Sequence, residues 1–387
     1  MIEIFTNAAF EQWMTSGAHP AAAVQGLDLR KSEQDLTGTD FNGSIFLSCS
    51  LSPDGALAIT KNGGLVIPNS PSFKFPTHRK ELYSVDELFE GYDHSDIHGY
   101  HKTYDYTVYL EYKKDGALAI PLNVGLYRRL HDHSITDALY DAIKGRKVVA
   151  IMGGHGMERG DAYYTKIAKL SRTLTKDGFL MVSGGGPGAM EATHLGAYFA
   201  TRSEKDLAAA ITILNKRPKD AEPGKEYADP DWLQRAFTVR NKYPLKPAAM
   251  KKCMSIGIPT WFYGHEPPAP FATHIAKYFA NSIREDGLLA IAKHGVIYAP
   301  GSAGTRQEIF QDAAQNHYGT CGFYSPMIFL GQKYWTGKGT EKESFPVWQL
   351  LEKTANDNFR DLLMLTDDLN EIVDMVKAYD PELHMSK

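Results

Sequence analysis

Cysteine is scarce in this chain: three in 387 residues, at positions 49, 253 and 321, with no CxxC pair. That excludes a disulfide framework and a cysteine zinc cluster, and it fits a reducing compartment. No run approaches the 18 or so apolar residues of a membrane span. Met1-Ile2-Glu3-Ile4-Phe5 lacks the basic stretch and apolar stretch of a secretory leader, so a cytoplasmic protein is expected. Excess charge is missing too: 42 Lys and Arg stand against 46 Asp and Glu, or −4 overall. Proteins that hold nucleic acid by neutralising phosphates carry the opposite balance. Neither a nucleic-acid polymer nor a membrane is therefore expected as a partner, although a local anion site is compatible with this charge. Glycine (34) and proline (20) are too few for a collagen-like or low-complexity chain. There is no HExxH, and no lysine sits in a context that suggests a pyridoxal Schiff base, so decarboxylase chemistry has no support.

What is present is an ordinary globular composition, 43% hydrophobic and 23% charged, long enough for two domains. Residues 1–145 read as a smaller α+β module, with a regulatory or assembly role resting only on its separate texture. Short β-like runs occur at 44–49, 64–67 and 106–112. Tyr104, Tyr106, Tyr109 and Tyr112 read as strand alternation. The string Asp54-Gly55-Ala56-Leu57-Ala58-Ile59 returns at 115–120, and each copy opens on Asp-Gly, which predicts two hairpins. A similar string at 286–291 lies in a helical pattern, so the repeat is weak evidence of duplication. Residues 146–387 change texture. Apolar runs at 147–152, 179–182, 256–263, 296–299 and 326–330 alternate with helical patterns at 163–174, 273–293 and 306–316, and helices close the chain. Such alternation predicts right-handed βαβ crossovers and a Rossmann-like, doubly wound parallel sheet. Ligands bind such sheets at the carboxyl ends of the strands.

Two strand-to-helix turns stand out there. The first is Ser183-Gly184-Gly185-Gly186-Pro187-Gly188-Ala189-Met190, followed by Glu191. Glycines at that point let the backbone approach a ligand closely, and the N–H groups of the following helix attract an anion. The spacing is not GxGxxG, so no dinucleotide fingerprint is read. The second turn is Pro300-Gly301-Ser302-Ala303-Gly304-Thr305-Arg306-Gln307-Glu308. Its backbone and hydroxyl donors suit a phosphate. Glu308, expected in the first helical turn, either points into the crevice or completes a capping box with Thr305. Ser84-Val85-Asp86-Glu87 has the same capping form without any glycine loop.

Other candidates carry less. His94, His98 and His101 with Asp93 and Asp96 read as a polar loop rather than a metal site, and His131-Asp132-His133 as a solvated turn. His265 and Glu266 follow a strand and border the predicted crevice.

Together, Gly184–Met190 and Pro300–Glu308 resemble the paired GGGxxGxM and PGGxGTxxE turns of the LOG family, Rossmann-like nucleotide-binding proteins often mislabelled lysine decarboxylases. The resemblance spans roughly residues 147–376. The extra N-terminal module and the phrase Thr273-His274-Ile275-Ala276-Lys277-Tyr278-Phe279 look more like the longer bacterial nucleotide 5′-monophosphate nucleosidases, pyrimidine or purine, than the short cytokinin-activating enzymes. The resemblance implies hydrolysis of the N-glycosidic bond of a nucleoside 5′-monophosphate to free base and ribose 5-phosphate, without cofactor or metal, by a homo-oligomer (dimer or tetramer). It implies Glu308 and Arg284 as catalytic residues. It also implies Ser183, Gly184, Gly185, Gly186, Gly188, Met190, Gly301, Ser302, Gly304 and Thr305 as phosphate- and ribose-binding ones. Two departures bear on this. Ser302 replaces the second glycine of PGG, and Arg284 sits in Ile283-Arg284-Glu285 rather than an ERK-like triplet, one residue further from the proline. The competing expectation is a non-catalytic carrier of a nucleotide or molybdenum cofactor, since such carriers have related turns.

Overall fold

The computed structural model describes the chain except residues 18, 33–35, 71, 97, 118, 119, 218–221, 223, 339–343 and 387. It divides into two compact units, residues 1–81 with 120–138, and residues 82–119 with 139–387.

In the first unit, β1 (Ile2–Ile4), β2 (Ala22–Gln25), β3 (Ile45–Leu47) and β4 (Leu65–Ile67) form a sheet in that order, every pair parallel. Phe10, Trp13, Phe41, Phe46 and Ile59 fill its core. The hairpin expected at Asp54-Gly55 is not formed. Those residues open the helix Pro53–Lys61, where the Ser52 hydroxyl accepts the Gly55 N–H (3.1 Å). A Ser cap followed by Pro at the first helical position outweighs the Asp-Gly turn signal. In the second copy, Asp115 ends a helix and Gly116 follows it at φ +83°, while Leu118 and Ala119 lie outside the described residues. His131 and Asp132 are not in a solvated turn either. Both are buried in the helix Leu122–Ile143, with His131 Nδ1 3.2 Å from Asp132 Oδ1.

In the second unit, β5 (Lys147–Met152), β6 (Phe179–Ser183), β7 (Ser255–Gly257), β8 (His274–Ile275), β9 (Val296–Tyr298), β10 (Met327–Leu330) and β11 (Leu363–Thr366) form one parallel sheet. Its order is β11-β10-β9-β5-β6-β7-β8. Val149, Ile151, Met181, Ile297, Ile328 and Leu330 join a core with the helices Ala162–Lys176, Ala189–Tyr198 and Leu369–Ala378. The alternate residues Val148, Ala150, Leu180, Val182, Tyr298 and Phe329 are buried as well. Burial on both faces is what a parallel sheet wound by crossover helices requires. This is the expected Rossmann-like α/β architecture.

Four local expectations fail here, the first being the strand over 256–263: β7 ends at Gly257 and Trp261–Tyr263 is a 3-10 turn capped by Thr260. Residues 104–112 are helix, not strand: Thr103 caps Tyr104–Asp115, and Asp105, Val108, Tyr109 and Tyr112 are buried at helical spacing. The helix expected over 273–293 is β8 followed by the helix Asn281–Ile291, because 274–275 pair with β7 and Ile275 bridges Tyr83. The C-terminal helices enclose β11, an edge strand of the parallel sheet, paired with β10.

Candidate functional site

The strand order places the site. From β5 the chain runs outward through β6, β7 and β8, then returns to the other side of β5 with β9. The order reverses between β5 and β9, and the crevice at the carboxyl ends of two such strands is where open α/β sheets bind ligands. Both glycine-rich turns meet there, together with a third, Gly153-Gly154-His155-Gly156. The Gly154 N–H donates to the Pro300 carbonyl (3.1 Å), and the Ala189 N–H donates to the Gly154 carbonyl (3.1 Å). These bonds tie the turns after β5, β6 and β9 into one floor.

Two glycines in that floor are required by geometry. Gly185 sits at φ +73°, and a Cβ there would lie 2.7 Å from Pro259 Cδ and 2.8 Å from the Ile258 nitrogen. Gly188 sits at φ +68°, where a Cβ would strike the carbonyl oxygens of Gly154 and His155. Any L side chain at either position is strained and also collides. Ser183 is fully buried, and its hydroxyl donates to the Ile151 carbonyl (2.6 Å), so that side chain braces β6 against β5. The helix after Gly188 has no side-chain cap. The helix Ala303–Tyr318 likewise has Ser302 at its N-cap with no side-chain cap. The first N–H groups of any helix lack intrahelical partners; here the Ala189 N–H is taken by the Gly154 carbonyl and no side chain caps the others, the arrangement that receives an anion.

The capping box expected of Thr305 and Glu308 does not form. The helix begins two residues before Thr305, which places Glu308 in its second turn rather than its first. In contrast, Ser84 does accept the Glu87 N–H (3.1 Å). Glu308 turns instead toward the helix Asn281–Ile291, where Arg284 Nη1 donates to Glu308 Oε1 (3.3 Å). Both side chains are 12% exposed. Arg284 Nε is buried with no partner among the described residues. Burial pushes the Glu308 carboxyl up to about 7, against the pull of Arg284.

Arg284 reaches the first glycine turn as well. A Cβ on Gly184 would lie 3.7 Å from Arg284 Nη1 and 2.6 Å from Met190 Sδ. A Cβ on Gly186 would lie 3.0 Å from Met190 Cε and 3.7 Å from Glu266 Oε2. Met190 thus lies along the turn, flanked by Arg284 on one side and Glu266 on the other. Glu266 is 14% exposed, and burial raises its carboxyl above the usual range although His155, His265 and Arg284 all favour its charge. The structure brings together Gly184, Gly186, Met190, Arg284, Glu308 and Glu266.

Residues beyond the motifs hold this group in place. The Tyr298 hydroxyl donates to Asp312 (2.7 Å), one helical turn beyond Glu308, and so fixes that helix to β9. Burial holds the Asp312 carboxyl up at about 7. The Tyr334 hydroxyl donates to the Gly301 carbonyl (2.6 Å). The turn bearing Glu266 is anchored by Asp105, which accepts from Trp261 Nε1 (2.9 Å), Tyr100 (2.7 Å) and buried Lys277 (2.8 Å). The Tyr100 hydroxyl also lies 3.1 Å from the Gly264 carbonyl. His98 and His101, outside this group, stack ring on ring at 5.4 Å, while Asp93 and Asp96 pair with Lys102.

The chain matches no family profile, and no curated protein matches it. Among solved structures, it is similar to the molybdenum cofactor binding protein from the phototrophic bacterium Rippkaea orientalis, at 12% identity and a TM-score of 0.34. That likeness covers 61% of this chain and 98% of the other. Among the described residues, no helix is long and apolar enough to cross a membrane.

Proposed function

We propose that the crevice hydrolyses the N-glycosidic bond of a nucleoside 5′-monophosphate, releasing free base and ribose 5-phosphate. The observation that carries this reading is the Arg284–Glu308 pair. It is largely buried, stands beside a glycine-rich turn, and keeps one guanidinium nitrogen without a partner among the described residues.

Breaking a ribosyl C–N bond develops positive charge on the sugar, which a nearby carboxylate stabilises. Glu308, ionised, takes a proton from the attacking water. The departing base must also gain a proton, and Glu266, the second largely buried carboxyl beside the glycine turn, is the proposed donor. Arg284 pairs with Glu308, lies within electrostatic reach of Glu266, and is the proposed guanidinium contact for the substrate. The uncapped helix starts hold the 5′-phosphate, whose binding orients the ribose. The protein's own groups suffice for every step, so the reading needs no cofactor.

The direct test is incubation with a panel of nucleoside 5′-monophosphates, following free base and ribose 5-phosphate. The two products should appear in equal amounts. The corresponding nucleosides, which lack the phosphate, should react about 100-fold more slowly in kcat/KM, because remote binding energy is lost. Tight binding without base release across the panel would replace this reading with that of a carrier.

A second expected outcome separates the carboxylates. Glu266→Gln should lower kcat about 100-fold for ordinary bases, while an analogue with an activated leaving group should be nearly unaffected. An equal loss for both leaving groups would remove Glu266 from the role of proton donor.

A further inference from the structure

At the opposite end of the sheet from the glycine turns lies a cavity of about 420 Å³. Its walls come from the segments that enter three adjacent strands. Arg146 precedes β5, Gly178 and Phe179 lead into β6, and Lys251 and Lys252 precede β7. Thr175 and Lys176, from the last turn of the helix Ala162–Lys176, complete it with Thr201. No carboxylate lines it, in a protein that is acidic overall.

Four cationic residues, all solvent-exposed, therefore line one concavity. None of Arg146, Lys176, Lys251 and Lys252 makes an ion pair among the described residues. The nearby Asp177 is already paired with Lys377 (3.1 Å). Helix carboxyl ends also point this way and account for some positive charge, roughly half a unit each. One of them is largely met already, since Arg172 donates to the carbonyls of Phe199 and Arg202. Four cations exceed what remains.

A neutral donor points to the same ligand. Thr175 is 6% exposed, and its hydroxyl is buried without a hydrogen-bond partner among the described residues. Leaving a buried hydroxyl unsatisfied is costly, and such groups in native proteins call for an explanation. An anion in the cavity supplies the missing acceptor. The volume of about 420 Å³ lies within the range of small-molecule sites and exceeds what a single phosphate group fills.

We propose that this cavity binds a small molecule carrying two or more phosphate groups, at a site separate from the glycine-rich crevice. The proposal does not depend on the hydrolase reading.

The test uses the full chain and inorganic tripolyphosphate, titrated calorimetrically, with inorganic phosphate as the comparison. Tripolyphosphate should bind at least about tenfold more tightly than phosphate, and added salt should weaken it. Lys251→Glu with Lys252→Glu should weaken it at least tenfold, whereas Gly304→Asp, which repels anions from the glycine turns, should leave it unchanged. Thr175→Val should weaken binding severalfold without lowering the melting temperature, since it removes an unpaired hydroxyl rather than a packed group. Equal affinity for the two anions, or unaltered tripolyphosphate binding in the lysine double variant, would overturn the proposal. So would loss of binding in Gly304→Asp, which would move the anion to the glycine turns.

Discussion

Glu308→Gln should lower base release from a nucleoside 5′-monophosphate by about 10³-fold, within the 10²–10⁴ range for losing a positioned proton acceptor, while nucleotide affinity changes only a few-fold. The substitution keeps the shape of the side chain and its contact with Arg284, and removes only the charge and basicity. It should not unfold the protein. Glu308 has its pKa raised by burial to about 7, so its ionised form is disfavoured in the fold. The stability tied to its neutral form is fully present below the ordinary glutamate value and is lost as pH rises through about 7. The neutral glutamine removes that loss, so the variant should be at least as stable as the parent at pH 8. For the parent, kcat/KM should rise through pH 7 as Glu308 ionises, and this limb should vanish in the variant. Steady-state kinetics from pH 5 to 9, with thermal melts at both ends, test all three expectations. Turnover like the parent's would remove Glu308 from the chemistry.

The strand-and-helix alternation after residue 147 was legible because both faces of that sheet are buried, so each strand reads as a short apolar run. The two glycine turns were legible for a related reason: backbone that must approach a ligand or another turn leaves glycine as a mark in the sequence. The arrangement of the carboxylates was not. Thr305 and Glu308 have capping-box spacing, and only the helix starting at Ala303 places Glu308 one turn too far along to cap. Glu266 reads as a residue at the border of the crevice, but only the turn at Trp261–Tyr263 brings it against Gly186. The His155 turn was visible as glycines, but its place beside Pro300 depends on β9 returning next to β5, a long-range pairing. The N-terminal part of the chain misled for a local reason. Asp-Gly is a hairpin signal, and of Tyr104, Tyr106, Tyr109 and Tyr112 only the first two have strand spacing; Ser52 and Thr103, acting as helix caps, override both cues. Short-range cues compete on nearly equal terms, and a single hydroxyl at the right position decides between them.

Glu191, the residue that follows Met190, leads to the largest expected change in stability. It is fully buried in the first turn of its helix and grips Arg159 with both oxygens, from Nε (2.8 Å) and Nη2 (2.5 Å). Tyr164 donates a third bond to it (2.9 Å). Arg159 is itself 1% exposed, donates Nη1 to the Trp232 carbonyl (3.0 Å) and lies 4.5 Å from the Trp232 ring. Glu191→Ala would leave that guanidinium buried without its bidentate partner, a loss of about 3–5 kcal/mol. Glu226 moderates the loss little, because it accepts the Arg159 backbone N–H (2.6 Å) and is paired with Arg235 (2.9 Å). Removing both charges with Arg159→Met and Glu191→Ala should be less harmful than Glu191→Ala alone, since no unpaired charge then remains in the interior. Urea unfolding of the four proteins completes the double-mutant cycle. A single variant within about 1 kcal/mol of the parent would mean that water or a neighbouring carboxylate reaches Arg159. Because the Ala189 N–H of the same helix holds the Gly154 carbonyl, loosening this helix should also weaken nucleotide binding at the glycine floor.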